Sequence, residues 1–190
     1  NQIMLKREEN AVVLDFLPHG KSGEGKSEPT AQVLGDTLYT LLEVIVKAGV
    51  EVKEGEKVFI GRGDRDKIAF IKGRITFAEL TNNSQKNAVE QVKVIVKTRE
   101  GEYVNFLNKA GAISIRLHSL ELLPSIGKKH LSTMLLARDK QPFLDFKDVQ
   151  SRVPHLNNVE NIFVERILEE LRGESKYYLF TKPPARDERY

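Results

Sequence analysis

Apolar residues are arranged in two styles along this chain. Up to about residue 80 they come in short runs cut by glycine, proline and charge: Ala11 to Leu17, Thr37 to Val46, Val50 to Ile60, and Asp66 to Phe77. Short runs closed by turn residues, as Pro18-His19-Gly20 closes the first, predict strands. The periodicity of Thr37 to Val46 suits helix or strand equally. Its Leu, Val, Ile and Tyr content, and the β-branched runs after it, favour strand. Five or so strands in this length predict a small, partly open β-barrel.

From Thr81 the spacing becomes helical. Thr81-Asn-Asn-Ser84 supplies capping residues, and Val89, Val92, Ile95 and Val96 share one face of a helix over Gln85 to Lys97. Gly101 is expected to break it. Tyr103 to Leu107 begins another apolar face, and Ile113 to Leu123 reads as the helix that follows. Pro124 stops that helix, since it has no N–H and a fixed φ. Lys128 to Arg138 predicts the next helix, Pro142 to Val149 a short one, and Asn158 to Leu171 a long amphipathic one ended by Gly173. Lys176 to Phe180 reads as a closing strand, and Pro183-Pro184 begins a polar tail.

Composition narrows what such a chain can do. At 190 residues there is ample length for a core, and 30 Lys+Arg against 27 Asp+Glu leave a net charge of +3. That excess is too small for a uniformly basic surface, so any nucleic-acid contact must be local. The absence of cysteine excludes disulfides, thiolate nucleophiles and zinc–cysteine sites together. No segment approaches the roughly 18 apolar residues of a membrane span. Asn1 to Arg7 carries no apolar run or small-residue cleavage site, and the reading is a cytoplasmic protein.

The local charge lies around Leu120-Glu-Leu-Leu-Pro-Ser-Ile-Gly-Lys-Lys-His-Leu131. Residues 116–140 hold Arg116, Lys128, Lys129, Arg138 and Lys140 against Glu121 and Asp139, an excess as large as the whole chain's. A helix beginning at Lys128 aims unpaired N–H groups outward and carries partial positive charge, which suits a phosphate. Leu-Leu-Pro-Ser-Ile-Gly-Lys-Lys resembles the helix-hairpin-helix motif, Leu-Pro-Gly-Ile-Gly followed by a basic or small residue. The resemblance implies capture of the sugar–phosphate backbone by hairpin amides, without reading of bases. Ser125 stands where that motif has its first glycine. Val153-Pro-His-Leu156 falls where a second hairpin would; His155 replaces the glycine and no lysine pair follows, so this copy is expected to brace the first.

Within the strand-rich part, Val50-x4-Gly-Glu-x-Val-x-Ile60 resembles strands of small barrels of the OB (oligonucleotide/oligosaccharide-binding) type. The turn Gly61 to Lys67 and the strand after it concentrate Arg62, Arg65, Lys67, Lys72 and Arg74, with Phe59, Phe70 and Phe77 interleaved. On an OB surface that mixture would hold phosphates and stack bases. The alternative places the aromatics in the barrel core and neutralises the arginines with Asp64 and Asp66.

Gly20-Lys-Ser-Gly-Glu-Gly-Lys-Ser27 competes for attention because it fits the phosphate-loop pattern Gly-x4-Gly-Lys-Ser after a predicted strand. Read that way the chain is an ATPase or GTPase, with Gly25, Lys26 and Ser27 on nucleotide phosphates and Mg²⁺. Against it, a phosphate loop opens into a long helix, whereas only a few residues separate Pro29 from Gly35-Asp36, and the strand–helix alternation of a nucleotide-binding sheet is missing. His19, His118, His130 and His155 are scattered outside any metal spacing, and no Gly-x-Ser-x-Gly elbow occurs. The expectation is no catalysis and no cofactor.

Val13 to Gly20, Asn108-Lys-Ala-Gly111 and Leu117 to Pro124 further resemble an archaeal family of uncharacterised proteins, for which an OB-like domain, a helix-hairpin-helix domain and nucleic-acid binding are expected. The fold expected is α+β. Residues 1–80 form an OB-like β-barrel, 81–112 connecting helices, 113–175 an all-helical tandem helix-hairpin-helix domain, and 176–190 a closing strand and tail. The function expected is sequence-independent nucleic-acid binding, RNA ahead of DNA, through Ser125, Ile126, Gly127, Lys128 and Lys129, with the basic barrel turn as second contact. A plain protein-interaction scaffold is the remaining reading.

Overall fold

The computed structural model describes residues 7–21 and 27–184. The fold is mixed α/β. Five strands, β1 (Asn10–Leu17), β2 (Thr30–Gly35), β3 (Leu41–Val46), β4 (Lys57–Phe59) and β5 (Ile68–Arg74), form an antiparallel sheet in the order β4-β1-β2-β3-β5. β4 and β5 lie at opposite ends of that order and do not pair, so the sheet curls as an open half-barrel.

Every residue of β2 and β3 is buried, which removes the in–out alternation that marks a half-exposed strand. One face carries the core of Ala11, Val13, Val33, Val44, Val58 and Ile68. On the other, Gln32 is fully buried and fully bonded. Its amide nitrogen donates to Glu43 (3.0 Å), and its oxygen accepts from the Thr81 N–H (3.0 Å) and the Ser84 hydroxyl (2.6 Å). The register slips at Leu14 in β1, and Val13 and Leu14 are therefore both buried despite being neighbours. β5 has two such slips, at Ala69 and Lys72, and bulges of this kind add twist to an edge strand.

The chain divides into two compact units. One holds the described residues up to Gln91 together with those from Glu169 onward; the other is Val92–Leu168. In the first unit two carboxylates each gather several backbone N–H groups, one across some thirty residues and the other across about ten. Glu8 accepts the backbone N–H groups of Thr37, Leu38 and Thr40 (2.9, 2.7 and 3.2 Å) and the Thr40 hydroxyl (3.1 Å). Glu170, 2% exposed, accepts those of Leu179, Phe180 and Thr181 (3.0–3.1 Å) and the Thr181 hydroxyl. This clasp explains why Lys176 to Phe180 forms no strand: its amides are turned to a side-chain acceptor.

Helix α1 (Asn82–Thr98) starts in the first unit and ends in the second. The second unit adds α2 (Glu100–Lys109), α3 (Lys128–Lys140), α4 (Phe146–Arg152) and most of α5 (Val159–Leu171). The break between α1 and α2 falls at Arg99, and Gly101 lies inside α2, contrary to expectation. The Phe163 ring is central, 5.0 Å from Tyr103, 5.7 Å from Phe146 and 6.2 Å from Phe106. Ile113 to Leu123 is not a helix. Residues 112–118 make a tight turn closed by an Ala112–His118 bridge, and one 3-10 turn follows at Ser119–Leu122. No helix among the described residues is long and apolar enough to cross a membrane.

Candidate nucleic-acid interface

Leu123 is extended because a proline follows, and Ser125 then takes a left-handed conformation (φ +68°) at the position that the hairpin resemblance gives to glycine. The buried Ile126 anchors the bend, and α3 begins at Lys128 with Gly127 as its N-cap. Gly127 has an extended backbone and open space where a Cβ would be, so neither its φ nor packing demands glycine. No side chain caps this helix. The first N–H groups of α3 have no intrahelical carbonyl to bond, whereas the Ile126 N–H just before them donates to the Leu123 carbonyl (3.3 Å).

The stretch Val153 to Leu156 repeats the bend and differs at that point. Val153 and Leu156 are buried, and His155 takes φ +61°, the counterpart of Ser125. Here the helix start is filled: Gln150 accepts the Val159 N–H (3.2 Å) and Asn158 accepts the Asn161 N–H (3.0 Å). The two bends touch through Asn157, whose amide donates to the Ser125 hydroxyl at 2.7 Å. Side chains occupy the start of α5, and none caps the start of α3.

Around the open end the lysines differ. The Lys128 ammonium donates to Glu121 (2.6 Å) and to the Arg116 carbonyl (2.9 Å), whereas Lys129 is exposed with no partner among the described residues. Lys128 and the His118 N–H hold the Glu121 carboxyl below its ordinary pKa. The His130 ring pairs with the Ser125 carbonyl at 3.1 Å. Arg138, counted in the local excess, is spent inside the fold, donating to the carbonyls of Leu107 (3.0 Å) and Ala110 (2.7 Å) at the end of α2.

In the first unit, three of the five basic residues expected to act together do line one open cleft of roughly 790 Å³: Arg62, Arg65 and Arg74. Arg7 and Lys182 join them, as do the carboxylates of Glu8 and Glu9; nothing in the sequence neighbourhoods signals it, because chain topology alone brings them there. Arg65 donates to the Gly61 carbonyl (2.9 Å), and Arg74 to the carbonyls of Pro183 (2.7 Å) and Lys182 (3.2 Å). Lys67 and Lys72 do not line the cleft. Lys67 is ion-paired with Glu56, and Lys72 sits at a bulge of β5. Phe59 and Phe70 are not core residues, being 38% and 47% exposed. Phe77 lies under the Arg172 guanidinium, 5.6 Å from the ring centre.

Of the phosphate-loop stretch, Gly25 and Lys26 lie outside the described residues. Ser27 is followed by strand β2, not by the helix that such a loop requires.

Comparison with known proteins places these features in a lineage. Residues 7–182 match the family described as proteins of unknown function, DUF655. An uncharacterised protein of Methanocaldococcus jannaschii, MJ0038, is 38% identical over 179 residues, covering 93% of this chain and 81% of the relative. The crystal structure of Af1531 from Archaeoglobus fulgidus, assigned to the same family, matches with a TM-score of 0.83 at 37% identity, over 92% of this chain and all of that one.

Proposed function

This chain belongs to the DUF655 family, and from its own geometry we propose that it is a non-catalytic, largely sequence-independent nucleic-acid-binding protein, with RNA ahead of DNA. In this reading the half-barrel is an OB-like domain, and the bends at Ser125 and His155 are the two hairpins of a tandem helix-hairpin-helix domain. Of the backbone amides from Ser125 to Lys129, those at the start of α3 take a phosphate while the Ile126 N–H stays on the Leu123 carbonyl (3.3 Å); Lys129 adds its charge, and the cleft lined by Arg7, Arg62, Arg65, Arg74 and Lys182, together with Glu8 and Glu9, is a second contact. Such contacts grip the backbone and carry no base information.

The observation that supports this reading most is the contrast between the two helix starts. Side chains fill the amides at the start of α5, whereas those of α3 are left to a ligand, behind a glycine that the fold does not require. A Gly127→Asp variant tests it. A carboxylate at the N-cap satisfies those amides and complements the helix dipole, so the fold gains a few tenths of a kcal/mol. It also occupies and repels the phosphate position. The expected outcome is an unchanged or raised melting temperature with weaker retention of unrelated RNA and DNA sequences alike, in filter binding at two salt concentrations. Undiminished binding would sink the proposal, and a wild type that retains no oligonucleotide at either salt leaves the scaffold reading in its place.

A further inference from the structure

The turn at residues 112–118 replaces an expected helix and presents an apolar tip. Its backbone is stitched by Ile113 N–H to Leu117 O (2.8 Å), Ser114 N–H to Leu117 O (3.0 Å) and Leu117 N–H to Ser114 O (3.4 Å). At its base the Ser119 N–H (3.0 Å) and hydroxyl (2.6 Å) both donate to the Gly111 carbonyl. A turn held at so many points presents its tip in a fixed place. At that tip Ile115 is fully exposed (105%), and Ile113 is 38% exposed. Leaving an isoleucine in water forgoes the stabilisation that burial would contribute.

The tip is joined to the open helix start. The Lys128 ammonium donates to the Arg116 carbonyl at 2.9 Å while holding Glu121, so turn, 3-10 turn and hairpin share one anchor. Arg116 follows the tip directly, Lys128 reaches the turn, and both are exposed, as is Lys129 next in α3. An apolar point beside cations complements a partner that offers flat apolar surface between regularly spaced anions. Stacked bases between phosphates have that form. Proteins that grip a backbone without reading sequence also insert single Ile, Leu, Met or Phe side chains between base steps.

We propose that residues 112–118 form a wedge whose Ile115 enters between adjacent bases of the nucleic acid held at the start of α3. This rests on the backbone-binding reading above and extends it, because unstacking a step costs a few kcal/mol and least where stacking is already broken. The preferred target is therefore a strand or duplex with an unpaired or mismatched base, over a fully matched one.

The experiment uses the full chain and duplexes carrying 2-aminopurine, whose emission rises when it unstacks, opposite either a matched or a mismatched base. With wild type, binding is expected to raise the emission and to favour the mismatched duplex. With Ile115→Ser, a change at a fully exposed site that leaves the melting temperature alone, the emission rise and the preference are lost. The salt dependence is kept because the phosphate contacts remain. Wild-type binding without an emission rise, or a rise that Ile115→Ser preserves, overturns the wedge and leaves the backbone-binding reading standing. If wild type binds neither duplex, both fail. Salt-dependent binding to phosphatidylserine vesicles that Ile115→Ser abolishes, with duplex emission unaltered, also overturns the wedge and assigns the tip to a membrane.

Discussion

Lys128 and Lys129 are neighbours in sequence and unequal in what they can give a ligand. Lys128 already holds a carboxylate and a carbonyl, whereas Lys129 has its full charge to offer. Each lysine that neutralises a phosphate contributes about 0.9 to the slope of log affinity against log salt for a duplex. Lys129→Ala is therefore expected to reduce that slope by nearly the full amount, and Lys128→Ala by clearly less. Glu121→Gln should tighten binding at low salt, since it removes the competing charge and keeps an oxygen for the His118 N–H (2.8 Å in the wild type). A salt titration of the three variants against one oligonucleotide settles the order, and equal slopes for the two lysine variants would contradict it. The same inequality governs the arginines. Arg138 and Arg152 cap the ends of α2 and α3, and Arg166 donates to the Leu122 carbonyl at 3.2 Å, so a count of cations along the chain overstates the charge a ligand would meet.

The element that leads into the bend at Ser125 is the 3-10 turn Ser119–Leu122, and its cap is acid-sensitive. The His118 ring accepts the Leu120 N–H at Nδ1 (3.1 Å), which requires the neutral imidazole. Burial and then the nearby Arg138 push its pKa below the ordinary 6.5, outweighing the opposite pull of Glu121. The unfolded chain therefore takes up the proton first. Stability falls as pH drops through 6.5 toward the lower folded value, and the loss is complete below it. Glu121 adds a second loss in the same direction below its ordinary 4.5, as its depressed folded pKa is crossed. His118→Asn keeps a short acceptor and does not titrate. Its melting temperature should fall less than that of wild type between pH 7.5 and pH 5.5, and parallel curves would show that the cap does not sense pH.

This turn also marks how far elements were legible. Helices α1, α3, α4 and α5 follow apolar spacing and caps because each buries one stripe, and β1 and β5 follow from runs closed by turns. Strand β2 was invisible: with both faces buried it has no alternation, and Pro29 just before it suggests a break instead. Ile113 to Leu123 misled for the opposite reason. Its Ile and Leu spacing implies an inward face, yet Ile113 and Ile115 point to water. The stop at Pro124 and the helix start at Lys128 were readable from Pro124 and Gly127. That the Ile126 N–H bonds back to the Leu123 carbonyl was not, since it depends on the left-handed turn at Ser125.

At the scale of the whole chain, the first unit is closed by residues from both sequence ends, and its cleft depends on that closure. Lys182 and the carbonyl that accepts from Arg74 belong to a segment held by Glu170, by Arg74 itself, and by the Lys182 N–H donating to the Leu38 carbonyl (3.3 Å). Glu170 is the strongest of these holds, because its buried carboxylate satisfies three backbone N–H groups and a hydroxyl together. Removing it strands those donors, at a cost of about 1–3 kcal/mol for each that water does not reach. Glu170→Ala is therefore expected to lower stability by about 3 kcal/mol in denaturant unfolding. It should also weaken oligonucleotide binding, through the loss of Lys182 and the reorientation of Arg74 in the cleft. Lys129→Ala and Gly127→Asp should weaken binding without lowering stability, because they act on an exposed helix start in the other unit. A Glu170→Ala protein that is destabilised but binds as wild type would separate the clasp from the cleft and leave the hairpin as the sole contact. One that binds less in proportion to Lys182→Ala alone would show that the segment's place in the function is to deliver that lysine.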